Sequence, residues 1–120
     1  IEDLTLYSIS EVSHEDVPLY MNASDVVLVT SKRESGPMVV KEAALCNVPV
    51  VSTNVGFTSE VLSDINNSYV CESENELIDG LRGVIKSGER SDGHKYTDEW
   101  GVDRMGERLI DVYQSVLNKQ

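Results

Sequence analysis

One stretch constrains this chain more than any other. It runs from Asp25 to Gly56 and reads DVVLVTSKRESGPMVVKEAALCNVPVVSTNVG. Val26-Val27-Leu28-Val29 is an unbroken apolar run, the pattern of a strand buried on both faces. A polar loop follows, Ser31-Lys32-Arg33-Glu34-Ser35-Gly36. Pro37 suits the first position of a helix, where its missing N–H would have no partner anyway. That helix is expected to run to about Cys46, and Pro49-Val50-Val51-Ser52-Thr53 reads as a second buried strand, closed by Gly56. Strand, helix and strand in this compass form a right-handed βαβ crossover between parallel strands.

Two carboxylates stand out within it. Glu34 lies in the loop after the first strand, and Glu42 lies eight positions on, inside the helix. In parallel sheets, ligands bind outside the carboxyl ends of the strands, which is where this loop must be. The helix start there offers free backbone N–H groups and a positive dipole end, which suit a phosphate. The helical neighbours of Glu42 are Met38, Val39, Leu45 and Cys46, with no Lys or Arg among them. Such a carboxylate either faces a ligand hydroxyl or reaches water from the helix edge.

The rest of the chain extends the alternation. Residues 4–9 alternate and are rich in β-formers, so a strand is expected there. Asp16 and Pro18 mark the start of a short helix, roughly Val17 to Asn22, with Asp16 as its cap. Thr58 to Leu62 reads as a helix capped by Thr58 or Ser59, and Tyr69-Val70-Cys71 as a short strand. Ser73 and Glu76 have capping-box spacing, ahead of a helical stripe of Leu77, Ile78, Leu81, Val84 and Ile85 that ends at Ser87-Gly88. Residues 89–97 read as an exposed polar loop in which His94 is solvated. A last amphipathic helix, about Trp100 to Asn118, is expected to pack its apolar side on its own domain, in preference to the reading in which Trp100 or Tyr113 covers a missing partner domain. The order is that of a single α/β layer domain over residues 1–120, with a mostly parallel sheet.

Composition excludes several functions. Asp and Glu number 21 against 10 Lys and Arg in 120 residues, so nucleic acid is not an expected partner. No apolar run is long enough to cross a bilayer, and no signal peptide is visible. Cys46 and Cys71 are isolated in apolar contexts and read as core thiols, which fits a cytoplasmic setting. His14 has no second ligand at metal spacing, and no metal site is expected. No Gly-rich loop of the dinucleotide or Walker type occurs. The chain starts at Ile1 almost directly with a strand-like segment, as expected of a piece of a longer polypeptide.

The string from Glu34 to Gly56, ESGPMVVKEAALCNVPVVSTNVG, with Glu60 four residues beyond Gly56, resembles the signature of the glycosyl transferases group 1 family. The segment Val12 to Tyr20 and the run Asn22-Ala23-Ser24-Asp25 are similar to what precedes it in that family, so the likeness covers about the first seventy residues. It implies a Rossmann-like domain with helices on both faces, the C-terminal, donor-binding portion of a retaining GT-B glycosyltransferase. It further implies a UDP- or GDP-sugar donor, hexosyl transfer to an unknown acceptor in polysaccharide biosynthesis, and no cofactor or metal. Glu42 would bind the ribose hydroxyls, and Gly36, Pro37, Met38 and Val39 would hold the diphosphate or sugar. Glu34 would be the catalytic-site carboxylate facing the transferred sugar, and Val12 would lie near the base. The acceptor-binding N-terminal domain would precede this chain, and through it the protein could touch a membrane surface peripherally. Family positions for the Arg and Lys that neutralise the diphosphate also fall before Ile1. Lys32 and Arg33 beside the loop read as solvated charges.

Two positions depart from the family pattern. Ser35 replaces a common Gly, which narrows that loop's access to positive φ. Asn47 replaces another, harmlessly, since Asn tolerates the left-handed conformation after a helix. The competing readings are a non-catalytic Rossmann-like regulatory or interaction module and a sugar-nucleotide epimerase of the same fold.

Overall fold

A computed structural model describes residues 4–8, 12–33 and 38–118. Its centre is the strand β2 (Val50–Thr53), flanked by β1 (Val27–Val29) and β3 (Tyr69–Cys71) in the order β1-β2-β3, all parallel. The register sets Leu28 beside Val51, and Ser52 beside Val70. Because successive side chains in a strand point to opposite faces, Val50 and Val51 serve different cores. Val50 joins Met21, Val29, Val40, Ala43, Ala44, Val61 and Leu62, and the helices α1 (Val17–Ala23), α2 (Met38–Leu45) and α3 (Thr58–Leu62) cover that face. Val51 joins Cys71 and Val84, the latter from α4 (Glu74–Ser87), which covers the other. The expected α/β sheet with helices on both faces is therefore present.

Local chemistry accounts for most boundaries. Pro18 stands in the first turn of α1, although Asp16 makes no side-chain cap bond. Asn47 ends α2 in the left-handed region at φ 58°, and Gly88 ends α4 at φ 62°. Ser73 Oγ accepts the Glu76 N–H at 3.2 Å, one half of the expected capping box. The return arm differs: Glu76 accepts the N–H of Glu72, at 2.6 Å, rather than that of Ser73. On α4 the inner side is Leu77, Gly80, Leu81 and Val84, while Ile78 and Ile85 lie at its exposed flank. A Cβ on Gly80 would stand 3.3 Å from Tyr69 Cβ, so this glycine lets the helix approach β3 closely.

Four expectations need correction. Residues 4–8 form no strand and pair with none of the three strands, and Leu6 and Tyr7 stand largely exposed. Alternating β-formers make a strand only where an open edge meets them, and none of the three strands does so. The cap of α3 is not a Thr or Ser: Phe57 occupies that position, and the buried Thr58 hydroxyl donates to Val55 O at 2.6 Å. Residues 89–97 are exposed only in part: Glu89, Arg90, His94, Lys95 and Thr97 face solvent as expected, but the segment is not a free loop. It includes a 3-10 turn, Gly93–Tyr96, and buries Ser91 and Gly93 against the body of the domain.

The fourth correction concerns α5 (Val102–Leu117). Its apolar stripe of Met105, Leu109, Val112, Tyr113, Val116 and Leu117 is exposed rather than packed on its own domain. The molecule is 61 Å long against 31 and 26 Å in the other directions. Periodicity reports that a helix has an apolar side, and it is silent on what that side meets. Trp100, by contrast, packs on the main core and stacks on Tyr96 at 4.7 Å between ring centroids.

Because β2 is the central strand and places Val50 in one core and Val51 in the other, truncating either valine should be felt by the whole sheet. Val51→Ala is expected to lower unfolding stability by about 2 kcal/mol, the loss of two buried methyl groups plus the cavity they leave. Urea denaturation followed by circular dichroism measures it, and a shift of the midpoint within error would refute the central role given to β2.

Candidate functional site

All three strands are parallel, so their carboxyl ends share one rim of the sheet. The loop after β1 rises from that rim and leads into α2. Its near end is tied down from β2: the Thr53 hydroxyl donates to Ser31 O at 2.6 Å. Glu34, Ser35, Gly36 and Pro37 lie outside the described residues, so the expectations placed on them stay where the sequence left them. Lys32 and Arg33 are exposed and make no hydrogen bond or ion pair with another described residue.

Beyond the loop, α2 divides cleanly. Val40, Ala43 and Ala44 are fully buried on the sheet. Met38 and Val39 are exposed in the first turn, where backbone N–H groups have no partner within the helix. Glu42 follows them at i+4 and i+3, half-buried on the same side, and its carboxylate has no hydrogen bond or ion pair among the described residues. The structure thus brings Met38, Val39 and Glu42 together on one open strip of helix. Val12, also half-buried, sits apart, just before the 3-10 turn His14–Asp16 that leads into α1. Glu60 is exposed on α3. Burial pushes the Cys46 thiol above its ordinary value; the Arg90 guanidinium opposes that rise and the Glu42 carboxylate adds to it. No cluster of His, Cys, Asp and Glu suited to a metal ion occurs among the described residues.

A half-buried acid without a partner among those residues, beside the first-turn amides of a helix at the carboxyl rim of a parallel sheet, can accept hydrogen bonds from vicinal hydroxyls while such amides receive an anion. The family model described as "Glycosyl transferases group 1" matches residues 5–99. The chain belongs to that family. The match extends well past the motif region into the 89–97 segment. The chain is 27% identical over 120 residues to the N-acetyl-alpha-D-glucosaminyl L-malate synthase of Bacillus anthracis, covering 97% of this chain and 31% of that protein. It is 28% identical over 112 residues to the D-inositol 3-phosphate glycosyltransferase of Xylanimonas cellulosilytica, covering 84% of this chain and 26% of the relative. It is also 39% identical over 75 residues to one component of the human phosphatidylinositol N-acetylglucosaminyltransferase, covering 62% of this chain and 15% of the relative. The chain therefore spans a third or less of the length of these relatives. No solved structure matches it significantly. No helix among the described residues is long and apolar enough to cross a membrane.

Sequence reasoning missed the part of this glycosyltransferase domain that holds α2 from below. Arg90 donates to Ser24 O at 2.7 Å and to Cys46 O at 3.2 Å. His94 Nδ1 meets Leu45 O at 2.9 Å, and the His94 N–H donates to Asn47 Oδ1 at 2.9 Å. The same segment is anchored at its other side, where Asp92 accepts the Asn66 N–H at 2.8 Å and pairs with Lys95 at 3.0 Å. The Tyr96 hydroxyl adds a bond to Asp64. The signal available in sequence was slight: an Asn where the family has a helix-ending Gly, and an Arg in a polar run.

The Asn66 N–H, with help from Lys95, holds the Asp92 carboxyl below its ordinary value. A lowered carboxyl contributes stability that is present above the unfolded value of about 3.9 and is lost as the pH falls through the folded one. Asp92→Asn should therefore weaken the pH dependence of unfolding below about pH 4, with little change near neutrality in that dependence. Thermal melts between acid and neutral pH test it, and identical slopes for both proteins would remove Asp92 from the anchoring role.

Proposed function

We propose that this chain supplies the donor-nucleotide site of a nucleotide-sugar-dependent glycosyltransferase that transfers a hexosyl unit with retention of anomeric configuration. The observation that carries the reading is the Glu42 carboxylate, unpartnered among the described residues, beside the first-turn amides of Met38 and Val39, which have no partner within the helix. Glu42 accepts both ribose hydroxyls of a UDP- or GDP-sugar in charge-assisted bonds. The diphosphate lies over the first turn of α2, where the Met38 and Val39 N–H groups and the helix dipole offset its charge. Gly36 and Pro37 are assigned to the same diphosphate or sugar contact, and Glu34 to positioning the sugar rather than attacking it. The Val12 segment lies toward the base. Departure of the nucleoside diphosphate is the step such a site accelerates, by stabilising charge that grows on the leaving oxygen. No metal is assigned to the donor site.

Relatives support the sugar class. Two of them are named for glucosaminyl groups, and a third for glycosyl transfer involving an inositol phosphate. The acceptor site is assigned to a second portion of the polypeptide, N-terminal to this one, and the uncovered stripe of α5 is apolar surface such a portion would meet. The product is assigned to glycan or polysaccharide assembly in the cytoplasm.

Titration calorimetry of the intact polypeptide with UDP and with GDP tests the site. One of the two is expected to bind, and Glu42→Ala to weaken it at least tenfold, roughly the value of losing a charged hydrogen-bond acceptor. Equal affinity in the variant would remove the ribose assignment. The anomeric configuration of the product, read by NMR, decides retention.

A further inference from the structure

A helix leaves its last four carbonyl groups without partners inside itself. At the end of α2 these carbonyls are engaged, in part from far along the chain. Ala43 O accepts from Val48 N at 3.0 Å and Ala44 O from Asn47 N at 2.9 Å, which are local bonds. Leu45 O is met by the His94 ring and Cys46 O by Arg90, residues 49 and 44 positions away. The last turn of α2 has no basic residue of its own. A cation is favourable at that negative dipole end, and here it is imported. Steric contact adds to the hold. A Cβ on Gly93 would stand 2.4 Å from Ala44 O, so the strap lies flush on the helix end and leaves it no room to move downward.

Arg90 also does something no simple cap requires. Its second nitrogen bonds the carbonyl of Ser24, the residue that ends α1. One planar guanidinium thus joins the carboxyl ends of α1 and α2. The segment leading into α1 carries Val12, and α2 carries Glu42. We propose that Arg90, seated by the 89–97 strap, is a positioning residue for nucleotide binding: it sets the spacing between the element that approaches the base and the element that holds the ribose. This rests on the donor-site reading above. Arg90 itself lies at the opposite rim of the sheet, away from the donor site. Its fork geometry matters, because two divergent carbonyls need two N–H donors held in one plane, which an ammonium does not provide.

The test is calorimetric titration of UDP and GDP into the intact polypeptide, for wild type, Arg90→Ala, Arg90→Lys, Asn47→Gly, Glu42→Ala and the Arg90→Ala/Glu42→Ala pair. Asn47→Gly keeps the left-handed turn and removes only the bond from His94, so it perturbs the strap without threatening the fold. Arg90→Ala is expected to raise Kd about tenfold with unchanged binding stoichiometry. Arg90→Lys should restore only part of this, Asn47→Gly should cause a smaller rise, and the pair should be less than additive because both changes act on one contact. A lower melting temperature or stoichiometry with unchanged Kd in Arg90→Ala and Asn47→Gly would make the strap an ordinary helix cap and overturn the proposal. If Glu42→Ala weakens binding and the strap variants do not, the donor reading survives and this inference fails. Should Glu42→Ala bind as wild type does, the donor reading fails first.

Discussion

Everything in this domain hangs on β2. Among the described residues it is the one strand with hydrogen-bonded neighbours on both sides, and Pro49, Val50, Val51 and Ser52 are wholly buried. A strand buried on both faces cannot slide by one residue without exchanging its two cores, so its register is strongly specified. That register places the end of β1 beside Ser52, and from there the chain turns into the loop that precedes α2. Thr53 then secures Ser31. The position of Ser31 at the start of the loop is thus tied to the apolar burial of β2.

The second constraint acts on α2 from its other end. Its buried face is Val40, Ala43 and Ala44, small enough to let the helix lie close to the sheet but offering few features to fix its axial position. The strap from Arg90 to His94 supplies that fixation with directional bonds and with the contact at Gly93. The result is a helix held at the bottom by charge-assisted bonds, while Met38 and Val39 stand exposed in its first turn and Glu42 half-buried. Such a division suits a parallel α/β sheet, in which ligands bind outside the carboxyl ends of the strands and the other rim is left to hold the fold.

Much of this was legible in the residues. The double valine of β2, the apolar run of β1 and the turn at Asn47 each carry local information: hydrophobic pattern for the strands and tolerance of positive φ for the turn. So does Glu42, whose lack of a basic helical neighbour is a matter of spacing alone. Other features were misread for a common reason. The alternation at residues 4–8 is a true β pattern that meets none of the three strands, and the stripe of α5 is a true amphipathic pattern that its own domain does not cover. In both cases the periodicity describes the segment and says nothing of what it meets.

Sequence alone therefore determined the βαβ crossover, the parallel sheet, the family and the pair of acids that mark its motif, because these rest on patterns within a few turns of chain. Only the tertiary structure decided that residues 89–97 fold back onto α2, that Arg90 bridges two helix ends, that Glu42 lies half-buried on the open side of its helix, and that the stripe of α5 stays exposed. The strap in particular depends on contacts between residues some fifty positions apart, such as His94 with Leu45. A hydrogen bond between distant carbonyls and a surface arginine leaves no periodicity behind, since any polar run of the right length could reach there.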